Sequence, residues 1–257
     1  MSERRAGFFD YTRAELFKVL HRPYTYLFLA VMLAGEALLA ALWASNVTSS
    51  NTITFTDGAG ILVMGLSMGL YCAIVTGDMV FSDQFKNNTL KNEVSFGLPR
   101  GRIYLGKLLA ACITAVCLCA VMIVFYLGLC RVLLPGDPES NLATLKLVGY
   151  CLLVALPLWL GAQALIIALF FLFKSSTLAA IAAVVVFLVL PQVWYLLANL
   201  ASAFFWQVYG VMLTAPFEQM TGAFDWAFCG RALAIGAGWF VISTAVGLVG
   251  FQRREIN

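Results

Sequence analysis

The stretch that decides how this chain is laid out reads Phe81-Ser-Asp-Gln-Phe-Lys-Asn-Asn-Thr-Leu-Lys-Asn-Glu-Val-Ser-Phe-Gly-Leu-Pro-Arg-Gly-Arg-Ile-Tyr-Leu-Gly-Lys107. It is a long polar segment between two very apolar ones, and it holds five of the sixteen Lys and Arg residues: Lys86, Lys91, Arg100, Arg102 and Lys107. Its punctuation is that of a folded element. Asn87 and Asn88 can break one helix, because Asn tolerates left-handed backbone angles. A second short helix is predicted from Thr89 to Phe96. Gly97 then stands where a glycine ends a helix, and Pro99 follows where a helix cannot continue. Phe81 and Phe85 are four apart, as are Leu90 and Val94, so each piece can present an apolar face.

Outward from this loop the chain is dominated by apolar runs. It has 257 residues, 62% hydrophobic and 11% charged, with a mean hydropathy of +0.90. That composition excludes a soluble domain. A hydrocarbon core of about 30 Å needs about 20 helical residues to cross. Six runs qualify: Tyr24–Ser45, Ala59–Phe81, Ile103–Cys130, Leu145–Phe173, Thr177–Leu197 and Ala232–Phe251. The expected fold is an all-α polytopic membrane protein, a single six-span domain over residues 1–257. Pro157 falls near the middle of the fourth span, where neighbouring helices can re-satisfy the freed backbone groups.

Basic residues set the expected orientation. Arg131, Lys146 and Arg231 fall on one side of this plan and the other thirteen Lys and Arg on the opposite side. Both termini and the 82–102 loop are therefore expected in the cytoplasm. Residues 2–22 interleave Phe8, Phe9, Leu16, Phe17, Val19 and Leu20 with Arg13, Lys18 and Arg22. They read as an amphipathic helix in the membrane interface, its basic residues facing anionic lipid. Residues 198–230 form a long aromatic-rich connection with almost no basic residue. Their two apolar segments are too short to span, so an external helical hairpin, re-entrant or interfacial, is expected.

Glu36 is the one carboxylate well inside a span, at a depth where facing lipid costs a few kcal/mol, so it is expected to face another helix or a water-filled path. Gly65-Leu-Ser-Met-Gly69 in the second span is a small-xxx-small stripe suited to close helix approach. Seven cysteines lie mainly in the spans without a CxxC pair, and the single His21 precedes the first span. Zinc chemistry of the HExxH kind and an intramembrane Ser–His pair are thus excluded. GxxxxGK[ST] is absent, so the chain cannot hold ATP by a P-loop.

The segment Phe85-Lys-Asn-Asn-Thr89-Leu90-Lys91, continuing through Pro99-Arg100 to Tyr104 and Lys107, resembles the first cytoplasmic loop of ATP-binding-cassette (ABC) permeases of the type-two exporter class. In those proteins an Asn-Gly-Thr-like turn precedes a basic helix, a Ser-Arg pair and a Lys opening the third span. Asn88 stands here in the Gly position and Pro99 in the Ser position. The resemblance implies a coupling helix seated on a separate ATPase, with Phe85, Lys86, Thr89, Leu90, Lys91, Val94 and Arg100 at the contact. It further implies two ATPase copies, carrying the ATP and Mg that this chain lacks, and a second permease subunit, identical or not. The expected setting is the bilayer of a bacterial cytoplasmic membrane, with no nucleic-acid partner. The small permeases of antimicrobial-peptide immunity and multidrug systems suggest an amphipathic or lipid-like cargo. Its path is expected along Glu36, Phe204, Phe205 and Trp206, with the 198–230 element capping the exit. Two other classes stay open. One is a proton-coupled secondary carrier using Glu36; the other is a membrane sensor or scaffold without transport.

Overall fold

The structure is a computed structural model that describes residues 7–47, 53–87, 89–95, 97–173, 175–220 and 223–253, with only the backbone of 82–87 and 89. Its described residues are mostly helical with no strands among them, and six helical stretches are long and apolar enough to cross a membrane. The six-span plan holds. The differences lie at helix ends, where capping decides, and at a tightened turn inside the second span and a widened one inside the fifth.

Helix α1 (Phe8–Leu20) opens with the Gly7 N–H donating to Asp10 Oδ2 at 2.8 Å, an acidic first turn that suits a helix N-terminus. Helix α2 (Pro23–Ser45) is the first span and starts on a proline, whose missing N–H costs nothing at that position. Only Thr25 and Ala40 of it are buried. The second span is α3 (Phe55–Gly65) and α4 (Gly69–Asn87), joined by a tighter 3₁₀ turn over Leu66–Met68. That turn has a visible cause. The Trp159 indole N–H reaches across from the fourth span and donates to the Leu66 carbonyl at 2.9 Å. A Cβ at Gly69 would overlap the same indole. The glycine stripe thus receives a tryptophan of the same bundle.

Helix α5 (Thr89–Ser95) is the short loop helix expected there, followed by Gly97 in the left-handed region at φ +79°. The third span, α6 (Arg100–Leu133), starts three residues before the expected Ile103, directly after Pro99. The fourth, α7 (Pro138–Leu172), starts at Pro138 and not Leu145, because Asp137 caps it by accepting from the Ser140 N–H at 2.8 Å. Pro157 is accommodated inside α7. The fifth span is α8 (Ser176–Val184), a π-helical turn over Val185–Val189, and α9 (Leu190–Leu200). Pro191 follows that turn, and the wide turn fits a proline that cannot donate to the preceding one.

The connection 198–230 contains two short helices, α10 (Phe204–Gly210) and α11 (Ala215–Glu218). The last span, α12 (Trp226–Arg253), begins six residues earlier than Ala232. Asp225 is the reason: its Oδ1 accepts from the N–H groups of Ala227 and Phe228 at 2.9 and 3.1 Å. α7 and α12 form the most extensive helix pair, and Gly236 lies directly against the Pro157 carbonyl. The α10–α11 segment tucks against this pair: Leu213 is buried beside Gly161, and the Trp239 indole N–H donates to the Val211 carbonyl at 2.8 Å.

Candidate functional site

At the end of the bundle carrying the 82–102 loop, four elements meet around one ammonium group. Lys107, on the second turn of α6, has a side chain that is 0% exposed. Its Nζ lies 3.0 Å from Glu15 Oε2 on α1 and 3.5 Å from Glu93 Oε1 on α5. Lys18 adds a second cation, 2.7 Å from Glu15 and 3.7 Å from Glu93. The Tyr11 hydroxyl donates to Glu93 Oε2 at 2.8 Å. The rings of Tyr11 and Phe81 stand 5.6 and 5.9 Å from the Lys107 ammonium, close enough for cation–π attraction.

The electrostatics follow from burial. An isolated buried lysine is costly; two carboxylates at hydrogen-bonding range make the charge tolerable. For Glu15, burial by itself raises the carboxyl. The Lys107 ammonium, with Lys18 beside it, outweighs that and holds Glu15 below the usual glutamate value. The Tyr11 phenol is pushed up by burial and by the neighbouring Glu15 and Glu93 carboxylates, so it stays protonated as the donor to Glu93.

The arrangement adds a protein side to α1, whose basic residues were expected to face anionic lipid. Tyr11, Thr12, Glu15 and Val19 are its buried face, packed on α6 and α4. Phe9, Phe17 and Leu20 are its exposed apolar residues. Sequence reasoning missed Glu15, Glu93 and Tyr11 as site residues. The available signal was Lys107, a charge just inside a long apolar run, which calls for carboxylates from whatever covers it.

The residues expected at the coupling contact divide into three groups. The side chains of Phe85, Lys86 and Thr89 lie outside the described residues, although their backbones end α4 and open α5. Leu90 and Val94 are half-buried and pack on the bundle's own core, on the same face of α5 as Glu93. Lys91, Asn92 and Ser95 form the exposed face. Arg100 is engaged internally. Its Nη1 donates to the carbonyls of Phe251 and Gln252 at 3.0 and 2.6 Å, which caps the end of α12.

A second candidate site is a cavity of about 190 Å³ between α2, the broken second span, α6 and Trp159 of α7. Glu36 is part of its wall, with Met32, Cys72, Met122 and Tyr126. Phe204, Phe205 and Trp206 do not line it. They belong to a separate aromatic cluster, in which Trp194 stacks on Phe205 with centroids 5.8 Å apart and Tyr195 meets Trp206 edge-on at 5.4 Å. Within one subunit, then, Glu36 and the α10 aromatics do not share a site.

The family model described as ABC-2 family transporter protein matches residues 12–192. The chain belongs to this ABC-2 transporter family. The match runs from α1 into α9, so it takes in the charged residues of the cluster, the loop helix α5 and the walls of the Glu36 cavity. No curated protein matches the sequence significantly. The ABC-2 assignment makes this an integral membrane permease component of a transporter, in a family whose members work with an ABC ATPase. For an ABC-2 permease the Lys107 cluster is well placed. It joins the loop helix α5 to the start of the third span and to the N-terminal helix at a single buried point.

Proposed function

We propose that this chain is the membrane half of an ATP-driven exporter in a bacterial cytoplasmic membrane, with both termini inside. A second permease subunit, identical or related, completes the path, and two copies of a cytoplasmic ATPase drive it. The coupling segment is 82–102. Lys91 and its exposed neighbours on α5 meet the ATPase together with Phe85, Lys86 and Thr89, while Leu90, Val94 and Arg100 transmit the displacement inward. The cargo is amphipathic or lipid-like, an antimicrobial peptide among the candidates, and the α10–α11 element caps the outer end of the route.

The observation that carries this reading is the double-sided character of α5. Lys91, Asn92 and Ser95 are exposed, while Glu93 on the opposite face is tied to Tyr11, Lys18 and Lys107. A helix fastened to several elements at once passes a push onward instead of absorbing it.

The test is purification of the tagged chain from its host in mild detergent. An ABC ATPase should co-purify. Lys91→Glu should lower its recovery in a salt-dependent way, since rim charges chiefly steer association, and Phe85→Ala should lower it further. Failure of any ATPase to accompany the wild-type chain, or recovery unchanged in Phe85→Ala, would defeat the coupling assignment.

A further inference from the structure

We propose that the cavity around Glu36 binds a hydrophobic organic cation, a quaternary ammonium or protonated amine on a compact apolar body, with Glu36 as its counter-charge. The proposal names a cargo class and rests on the transporter reading for its role in export; binding itself needs neither the ATPase nor a second subunit.

The cavity is almost entirely apolar, and Glu36 is the sole charged residue among the described residues lining it. Glu36 Oε2 is buried and has no hydrogen-bond partner among the described residues. The two nearby groups that could have served it are committed elsewhere. The Tyr126 hydroxyl donates to the Gly58 carbonyl at 3.1 Å, and the Trp159 indole N–H donates to the Leu66 carbonyl at 2.9 Å. With their polar ends tied down, both residues offer ring surface to the wall. Aromatic surface beside a carboxylate is a combination that attracts alkylated ammonium groups. Met32, Met68 and Met122 complete a soft, adjustable lining suited to ligands of varied outline.

Charge decides between ligand classes. An anion would meet Glu36 with like charge in a low-dielectric setting. A neutral apolar molecule would leave the Glu36 carboxyl without a hydrogen-bond partner whether ionised or protonated, which is costly. A cation removes that cost, and its attraction is far stronger here than at a wet surface. Size agrees: an enclosed apolar cavity of about 150 Å³ admits benzene, and this one, about 190 Å³ and open on one side, takes a ring-sized body with its charged group at the Glu36 side. The ammonium could arrive on a free organic cation or on the choline headgroup of a lipid. The chemistry recognised is the same.

The probe is benzyltrimethylammonium, with neopentylbenzene as its neutral isostere and benzenesulfonate as an anion, added to the full chain purified in uncharged detergent. Binding of radiolabelled benzyltrimethylammonium is measured at equilibrium. Alkylation of Cys72 and Cys119, which line the cavity, is followed by mass spectrometry, with the exposed Cys117 as internal reference. Saturable binding should protect Cys72 and Cys119 but not Cys117, and neither the isostere nor the anion should compete. Glu36→Gln should weaken binding by about tenfold or more. Met122→Trp, which fills the cavity and keeps the carboxylate, should block it too, so the result does not depend on one variant folding. Repeating the assay with phosphatidylcholine separates the sources: competition assigns a lipid headgroup, and its absence assigns a free cation. Equal binding of the isostere, binding unchanged in Glu36→Gln, or binding that leaves Cys72 and Cys119 unprotected would overturn the proposal. Cation binding without any co-purifying ATPase would uphold the site while removing its role in ATP-driven export.

Discussion

Lys107 Nζ stands 3.0 Å from Glu15 Oε2, with side chains 0% and 2% exposed. The pair fastens the first helix of the chain to the third span, and Glu93 brings the loop helix to the same ammonium. Lys107→Met should therefore do more than delete an ion pair. It leaves Glu15 and Glu93 beside each other with only Lys18, which is half-exposed, to neutralise them. Removing one partner of a buried pair costs about 3–5 kcal/mol. Lys107→Met with Glu15→Leu should be less damaging than the sum of the two single changes. Thermal unfolding in detergent reads both effects, and strict additivity would show that the two side chains are not coupled.

The same pair sets a pH dependence. Glu15 is held below the ordinary glutamate value in the folded protein, so its contribution is complete above the unfolded value near 4.5 and fades as pH falls through the folded one. Glu15→Gln should be destabilising at neutral pH and progressively less so relative to wild type in acid, where both side chains are neutral. A stability gap that stays constant from pH 7 down to pH 3 would contradict this.

The break in the second span is braced by one indole. Trp159→Phe should remove one of the two donors to the Leu66 carbonyl, which keeps the Gly69 N–H, at a cost of about 0.5–1.5 kcal/mol. Gly69→Ala should be destabilising because its new methyl meets the indole. Combining Gly69→Ala with Trp159→Leu should recover part of that loss. If Gly69→Ala is as harmful without the indole as with it, the clash is not its cause.

Orientation is open to labelling. A membrane-impermeant thiol reagent applied to intact cells should modify a cysteine introduced at Ser50 or Gly222 and leave one at Asn88 untouched, as read from the mass of the labelled peptide. Modification at Asn88 would invert the proposed topology.

Arg100 provides a separate check on the loop. Arg100→Ala should free the last carbonyls of α12, raising hydrogen exchange at its C-terminal turn while the centre of α12 stays protected. Unchanged exchange there would mean that the cap contributes nothing to that helix end.

Most of the helix plan was legible in the sequence, because runs of about 20 apolar residues speak for themselves. The ends were less so. α12 starts at Trp226 because Asp225 caps it, and a lone aspartate in an aromatic loop gives little warning. The 3₁₀ turn at Leu66–Met68 could not be read locally, since its hydrogen-bond partner, Trp159, is on another span. The charge cluster was hidden for a related reason: Lys107, just inside an apolar run, signals a need for carboxylates, but Glu15 and Glu93 each read alone as ordinary surface charges, and Glu15 comes from a separate helix. Glu36 was the opposite case. A carboxylate deep in an apolar run announces a polar requirement, and the sequence sufficed to single it out.

The Arg100 cap also bears on how the protein is made. Arg100 opens the third span, but the carbonyls that hold its guanidinium belong to Phe251 and Gln252, some 151 and 152 positions later. During synthesis from the N-terminus, the third span is therefore threaded long before its anchor exists. A chain still on the ribosome can complete the Glu15–Glu93–Lys107 contact early, yet must wait for the sixth span before the base of the loop is secured. A chain truncated before residue 251 therefore lacks the carbonyls of Phe251 and Gln252 that Arg100 caps.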